Sequence, residues 1–197
     1  MARAVGIIPA RFGSSRFPGK VLASLDGKPL IRHVWERVVR ARRLDAAVVA
    51  TDDERIRDAV VSFGGEAVMT SPRHPSGTDR VREAVGLLEA RGPRVDIVLN
   101  VQGDEPMVRP EDLDAMVGEL GDDPSLDYVT LAEPFARSED LLDPNTCKVV
   151  LDGKGRALYF SRSPIPFFRA AGPGGIAPLG AALGGRPDPL EGYYRHV

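Results

Sequence analysis

The chain has a single cysteine, Cys147, so it can form no intramolecular disulfide. The apolar neighbours Val149 and Val150 favour a packed thiol over a nucleophile, and a lone thiol suits a reducing compartment. No apolar run reaches the length of about 18 residues that a transmembrane helix needs. The first strand begins within a few residues of Met1, which leaves no room for a signal peptide. These absences predict a cytoplasmic protein without a membrane partner.

The sequence also lacks an excess of charge of one sign. Its 26 basic and 28 acidic residues give a net charge of -2, which excludes a strong global attraction to nucleic acid. There is no Cys/His cluster for zinc, no recognisable Ser-His-Asp arrangement and no internal repeat. The length of 197 residues suits one sizeable core. We therefore expect a single domain over 1–197, with the Gly-, Ala- and Pro-rich residues 170–189 as a flexible loop.

What the chain does have is a cationic loop directly after its first strand. Residues 4–8 form a short apolar run, and Pro9 is expected to end the strand because it has no backbone N–H to donate. Glycine, hydroxyl and cationic side chains follow, and together these groups are suited to holding phosphate. The cations of this loop are Arg11, Arg16 and Lys20. A polar surface loop that binds nothing is the alternative, and this concentration of cations disfavours it.

The loop is not a known P-loop. A Walker A sequence has four residues between its first glycine and its Gly-Lys pair, followed by Ser or Thr. Here five residues separate Gly13 from Gly19, and Val21 follows Lys20 in place of the hydroxyl. The dinucleotide pattern G-x-G-x-x-G is absent as well. Both differences argue against a P-loop NTPase.

Apolar spacing predicts alternating strands and helices after this loop. Helices are expected at 29–43, near 56–63, from the capping residue Thr78 onward and at 111–120. Strands are expected at 46–50, 67–69, 96–101 and 127–132, with a β-hairpin of 148–151 and 157–160 and a last strand entered at YYRHV. The alternation predicts an α/β fold, with a mostly parallel sheet, helices on both faces and the hairpin as an excursion.

Ligands of such sheets bind beyond the carboxyl ends of the strands. Four polar loops are expected there: 9–20, 51–53, 70–80 and 102–106. Arg73 and Arg80 join the cations of the first loop as candidate polyphosphate ligands. Asp104 follows a buried strand and is a candidate Mg²⁺ ligand, since Mg²⁺ typically takes one or two protein carboxylates beside phosphate and water. The alternatives are a turn cap for Asp104 and a second ligand or a solvated loop acid for Glu105.

Several segments together resemble the 3-deoxy-manno-octulosonate (KDO) cytidylyltransferase family. They are IPARFGSSRFPGK, GKPLIRHV, TDDERI, HPSGTDR, NVQGDEP, the hairpin KVV…ALYFSRSPIPFFR and the final YYRHV. The resemblance runs in order from Arg3 to Val197 and is poor only over 170–189. CMP-sialate synthetases share the first pattern more loosely, which leaves another sugar acid as an alternative acceptor.

The resemblance implies a Rossmann-like nucleotidyltransferase fold and an enzyme of lipopolysaccharide biosynthesis. In its reaction the KDO anomeric hydroxyl attacks the α-phosphate of CTP, giving CMP-KDO and diphosphate with Mg²⁺ as cofactor. It assigns catalysis to Arg11, Lys20 and Asp104, with Asp104 as the metal ligand. Nucleotide binding is implied for Pro9, Ala10, Arg11, Lys20, Ser76, Gly77 and Arg80, and sugar-acid binding for Gln102, Arg162 and His196.

Members of that family continue beyond the position of His196. The additional segment carries dimer contacts and an Asp that resembles a second magnesium ligand. The resemblance therefore predicts a C-terminally incomplete domain that binds CTP weakly and turns over poorly, and a homodimer where that segment is present. A non-catalytic CTP-binding relative is the alternative from a different functional class.

Overall fold

The computed structural model describes residues 2–13, 17–165, 192 and 194–196. They fall into two compact units, Met1–Val129 and Thr130–Val197. The predicted loop at 170–189 lies outside the described residues, and the single domain over 1–197 stays a prediction. In the described parts of the chain, no helix combines the length and the hydropathy needed to cross a bilayer.

The first unit contains the predicted parallel sheet. Its strands are β1 (Ala4–Ala10), β2 (Ser24–Leu25), β3 (Lys28–Pro29), β4 (Ala46–Thr51), β5 (Glu66–Met69) and β6 (Ile97–Asn100). Its helices are α1 (Leu30–Val38), α2 (Glu54–Ser62), α3 (Gly77–Glu89) and α4 (Pro110–Asp122), and a single 3-10 turn covers Lys20–Leu22. The sheet order is β5-β4-β1-β6, and all three pairings are parallel, whereas β2 and β3 form a separate two-stranded hairpin.

Two apolar clusters cover the two faces of this sheet. Helices α1, α2 and α4 contribute to the first cluster, which includes Ile8 of β1. Helix α3 contributes to the second, which includes Ile7. Successive residues of a strand point to opposite faces, so one apolar run supplies both clusters. The prediction of an α/β fold with helices on both faces is confirmed.

The expectation that Pro9 ends the first strand was wrong, because β1 continues to Ala10 with Pro9 opposite Ala50. The reason is that the missing N–H of Pro9 would have pointed to only one of the two strands beside β1. Ile7 accepts from Val101 on the β6 side, and backbone groups alternate sides along a strand. Position 9 therefore faces the β6 side, where that ladder has already ended at Ile7 and Asn100.

Two helix boundaries also differ from the sequence prediction. Helix α3 is capped by Ser76, whose hydroxyl accepts from the Asp79 N–H at 3.2 Å, rather than by Thr78. Both residues have capping side chains, and the chain is still extended at Ser76, so the helix begins one residue before Thr78. Helix α1 ends at Val38 instead of continuing to residue 43.

The second unit is a small antiparallel sheet. Its strands are β7 (Ala132–Pro134), β8 (Lys148–Leu151), β9 (Ala157–Ser161) and β10 (Tyr194–His196), in the order β7-β10-β8-β9. The β8–β9 hairpin and the strand at the end of the chain are confirmed. The strand predicted at 127–132 was wrong, because pairing with β10 begins only at Ala132. A short apolar segment does not reveal where its partner strand will meet it.

Candidate nucleotide-binding site

A cavity of about 260 Å³ lies within the first unit at the carboxyl edge of the sheet. It is formed by the loop after β1, the loop between β5 and α3, and the loop after β6. The residues that line it are Pro9, Ala10, Arg11, Lys20, Val21, His74, Pro75, Ser76, Gly77, Arg80, Gln102, Gly103 and Asp104. The nine site residues that the resemblance assigns to this unit are all among them, although they come from segments far apart in the chain. The candidate phosphate ligand Arg73 and the candidate metal ligand Glu105 do not line the cavity, and Arg16 lies outside the described residues.

Lys20 and Asp104 meet in this cavity. The Lys20 Nζ lies 2.7 Å from the Asp104 Oδ2, and both side chains are close to half exposed. Such an exposed ion pair adds little to stability, so an incoming anion or cation can separate it at low cost. Arg11 is exposed, and no ion pair holds it within the described residues. The cavity thus presents two exposed cations and one exposed carboxylate to a ligand.

Asp104 fits the donor chemistry of a magnesium site. Its carboxylate supplies hard oxygen, and Mg²⁺ is commonly held by one or two protein carboxylates with phosphate and water completing the shell. Among the residues that the structure describes, no three His, Cys, Asp or Glu side chains gather as a metal cage. Asp104 is the acidic side chain among the described residues that line the cavity, and its donor chemistry fits a metal that shares its shell with phosphate.

Arg80 is the buried cation of the cavity. Its guanidinium donates to the Thr70 hydroxyl at 2.6 Å and pairs with the Asp52 carboxylate at 3.1 Å. Only 4% of the residue is exposed, so these two partners hold the guanidinium in place. Through Arg80, the loops after β4 and β5 are tied to the first turn of α3. The fourth predicted loop, 51–53, therefore supports the cavity without lining it.

Gly103 is required by close approach of the backbone. A Cβ at this position would lie 2.9 Å from the carbonyl oxygen of Pro9, which is shorter than real Cβ contacts. Any side chain would push the loop after β6 away from the end of β1. Gln102 and Asp104 flank this glycine, so its small size brings both side chains to the cavity. Gln102 is exposed there.

His74 lines the cavity and was missed by the sequence analysis. Its Nε2 contacts the Glu83 carboxylate of α3, which also accepts from the Ser71 N–H at 2.8 Å. The His74 hydrogen bond, followed by the Ser71 hydrogen bond, lowers the pKa of Glu83. Glu83 therefore fixes the 71–74 segment to the helix. The nine-residue separation of His74 and Glu83 spans a loop and a helix, so no periodicity could have indicated the pair.

The two remaining predicted residues belong to the second unit. Arg162 is exposed and donates from one guanidinium nitrogen to the carbonyls of Pro144 and Asn145, at 3.0 Å each. The His196 Nε2 lies 2.7 Å from the Thr130 hydroxyl. Both side chains are thus ordered by contacts inside their own unit. Their predicted roles in sugar-acid binding stay predictions.

Lys148 is a buried cation of the second unit. Lys148 is 3% exposed, and its ammonium donates to the carbonyls of Asp143, Thr146 and Arg162 at 2.6, 2.9 and 3.0 Å. An ammonium has three N–H donors, so this set satisfies all of them. Desolvation lowers the pKa of Lys148 from its ordinary value. The residue links the 143–146 loop to the end of β9.

Comparison with known proteins gives a consistent family. The cytidylyltransferase family model matches residues 5–172. A 3-deoxy-manno-octulosonate cytidylyltransferase of Pelobacter propionicus is 55% identical over 83% of this chain. The protein of that name from Escherichia coli is 48% identical over 87% of it. The chain spans 62% of the length of the first relative and 67% of the second.

The fold comparison agrees. The structure of a CMP:2-keto-3-deoxy-manno-octonic acid synthetase complexed with CTP is 42% identical, with a TM-score of 0.82. The match covers all of this chain and 72% of that one. A cytidylyltransferase of Leptospira borgpetersenii, 22% identical with a TM-score of 0.57, shares the fold alone. These similarities confirm the nucleotidyltransferase fold that the sequence motifs indicated.

Proposed function

Because the chain belongs to the cytidylyltransferase family, we propose that it transfers CMP from CTP to KDO and releases diphosphate. The product, CMP-KDO, would serve lipopolysaccharide biosynthesis. The observation that carries this proposal is the cavity at which Lys20, Asp104 and the α3 residue Arg80 come together. The relatives named for this reaction support the choice of substrates.

Lys20 and Arg11 are proposed to bind the triphosphate. Both line the cavity, and both are exposed enough to reach a phosphate. Their charges would offset part of the negative charge of CTP and of the charge that develops on the leaving diphosphate. In-line phosphoryl transfer depends mainly on such positioning and neutralisation. The Lys20–Asp104 contact keeps the ammonium at the cavity until a phosphate replaces the carboxylate.

Asp104 is proposed to hold Mg²⁺ together with a phosphate oxygen. When bound, the metal supplies positive charge at the reacting phosphate. Asp104 itself contributes a carboxylate oxygen whose position is set by Gly103 and by the end of β6. The contact with Lys20 supports this proposal, because a cation and a candidate metal ligand lie at the same part of the cavity. A magnesium-bound polyphosphate would contact both.

Backbone groups of Ala10, Ser76 and Gly77, with Pro9 beside them, are proposed to bind the nucleoside. Ser76 is fixed by Asp79, since its hydroxyl donates to the Asp79 carboxylate at 2.5 Å and accepts from the Asp79 N–H. Fixed polar groups discriminate strongly between bases, because the wrong base leaves them without a hydrogen-bond partner. We therefore expect selectivity for CTP over UTP.

We propose a role in sugar-acid binding for Gln102 of the first unit and, separately, for Arg162 and His196 of the second. Gln102 lies at the cavity, and its side chain is exposed. Arg162 and His196 provide a cation and an imidazole that suit a carboxylate and hydroxyl groups. We also propose a cytoplasmic location, which fits the single cysteine, and a homodimer where the additional C-terminal segment of the family is present.

A diphosphate-release assay tests the proposal. The chain is incubated with Mg²⁺ and each pairing of CTP or UTP with KDO or a sialic acid. Release with CTP and KDO alone is the expected result. Equal turnover with CTP and UTP would contradict the assignment of the nucleoside pocket. Preference for the sialic acid would overturn the choice of acceptor, and CTP binding without release under any pairing would indicate a non-catalytic relative.

A further inference from the structure

Phe12 and Arg55 form a contact beside the cavity that the proposed reaction does not use. The Arg55 guanidinium carbon lies 3.4 Å from the centroid of the Phe12 ring. Within the part of the chain that the structure describes, neither residue lines the cavity. Phe12 is in the cationic loop after β1, whereas Arg55 is in the first turn of α2. The contact therefore joins the cationic loop to a helix that packs in the first apolar cluster.

The Arg55 side chain is oriented by Asp53. Its Nε and Nη2 donate to the two carboxylate oxygens of Asp53 at 2.9 and 2.6 Å. Asp53 also caps α2 by accepting from the backbone N–H of Arg55 at 3.0 Å. A bidentate pair fixes the plane of a guanidinium. Asp53, the capping residue of α2, therefore holds the Arg55 guanidinium with its flat face over the Phe12 ring. A cation over an aromatic face is a favourable contact.

Phe12 in turn contacts Gly19 at the far end of the cationic loop, and we call this pair the Phe12–Gly19 root of the loop. Its carbonyl accepts from the Gly19 N–H at 2.8 Å, which closes the segment between them. Gly19 has a φ of +72°, and a Cβ there would lie 2.9 Å from the Phe12 ring. The ring thus packs directly against the backbone of Gly19. Lys20 is the next residue, and its ammonium is the one that meets Asp104.

We propose that Arg55 is a positioning residue, which fixes the Phe12–Gly19 root and thereby places Lys20 for polyphosphate binding. The effect on the ligand rests on the proposed function, whereas the effect on the loop does not. Arg55 acts through Phe12 and does not touch the ligand. Its side chain is 61% exposed, so removing the stack should loosen the loop without unfolding α2. The Asp53 cap on the Arg55 backbone N–H remains in any substitution except proline.

Arg55→Ala and Arg57→Ala are the matched variants. Arg57 lies in the same helix and pairs with Asp58 and Glu54, away from Phe12. Hydrogen exchange of the Gly19 amide is measured without nucleotide, and the CTP dissociation constant is measured by calorimetry. Arg55→Ala should speed exchange and weaken CTP binding, each about fivefold, whereas Arg57→Ala should change neither. Thermal midpoints of the two variants should agree, since both remove one exposed cation.

Phe12→Leu and the Phe12→Leu/Arg55→Ala double variant complete the test. If the two residues act as a stack, the double variant should be no worse than either single variant. Phe12→Tyr should retain exchange and affinity because its ring remains. Unchanged exchange of the Gly19 amide in Arg55→Ala would contradict the claim that Arg55 fixes the loop. Faster exchange with unchanged CTP affinity would contradict the claim that Arg55 places Lys20 for polyphosphate binding. Absence of CTP binding by the wild-type chain would instead overturn the proposed function, while the exchange result still decides the loop claim.

Discussion

The two units of this chain use polar side chains in opposite ways. In Met1–Val129, two apolar clusters stabilise the sheet, and exposed charges such as Lys20 and Asp104 collect at a cavity. In the described part of Thr130–Val197, few apolar side chains are buried, and the buried Lys148 binds three backbone carbonyls. The cavity charges are therefore free to serve a ligand, whereas the Lys148 charge serves the fold.

This difference follows from the size and kind of each sheet. A parallel sheet covered on both faces buries enough apolar surface to tolerate exposed charges at its edge. A small antiparallel sheet buries less, so its polar interactions carry more of the stability. Removing an exposed cavity charge should consequently affect ligand chemistry in the first unit, whereas removing the buried Lys148 charge should affect stability in the second. Four predictions test this division.

Lys148→Met should produce the largest effect, a loss of stability of about 3 kcal/mol in the second unit. Methionine retains the apolar length but leaves three carbonyls without their donor, and an unsatisfied buried polar group costs about 1–3 kcal/mol. Hydrogen exchange of the β8 and β9 amides measures the loss. Lys154→Met, in the exposed turn of the same hairpin, is the control and should change little. Equal exchange in the two variants would place the stability of this unit elsewhere.

Asp104→Asn should lower turnover about a hundredfold and leave the thermal midpoint within about 2 °C of wild type. The substitution removes a metal-binding charge but almost no volume, and the exposed pair with Lys20 contributes little to stability. Diphosphate release at saturating Mg²⁺ and a thermal melt are the measurements. Asp127→Asn, an exposed change of the same atoms, is the control. Retention of most activity by Asp104→Asn would remove this residue from the site.

Lys20→Ala should weaken CTP binding about tenfold and make the affinity less dependent on salt. The lost ammonium is one of the two exposed cations of the cavity, so the Coulomb attraction between the cavity and CTP becomes smaller. Added salt then has less attraction to screen, and the affinity changes less with salt concentration. Calorimetric titrations at two salt concentrations measure both effects. Lys28→Ala, whose ammonium pairs with Glu36 away from the cavity, provides the comparison. An unaltered CTP affinity in Lys20→Ala would contradict the assignment of Lys20 to triphosphate binding.

Glu83→Gln should give the smallest effect, a change in acid stability below about 1 kcal/mol. The folded-state pKa of Glu83 is lowered by His74 and Ser71, so its stabilisation is present above the unfolded-state pKa. It is lost as the pH falls below about 4.5 and through the folded-state pKa. Urea unfolding across this range should therefore show a shallower loss for Glu83→Gln than for wild type. Glu119→Gln, exposed on α4, should follow wild type.

The sequence predicted much of the first unit because its signals are local. Apolar periodicity indicated α1, α2 and α4, and the Gln102–Asp104 motif followed a strand that proved to be β6. The carboxyl-edge rule then placed the loops 9–20, 70–80 and 102–106 together, and all three line the cavity. The exact capping residues of the helices and the ends of the strands were harder to predict. Pro9 shows the reason, since its effect depends on which neighbouring strand its N–H would have faced.

By itself, the sequence determined the alternation of elements, the two-faced apolar strands and the loops that carry charge. Only the tertiary structure decided which charges meet. The Lys20–Asp104 contact joins residues 84 positions apart, and the Phe12–Arg55 stack joins a loop to a helix cap. Such pairs depend on the direction of each side chain after the strands have aligned, and composition and spacing carry no information about that direction. The sequence likewise indicated a strand at YYRHV, but only the tertiary structure decided that β10 pairs with both β7 and β8.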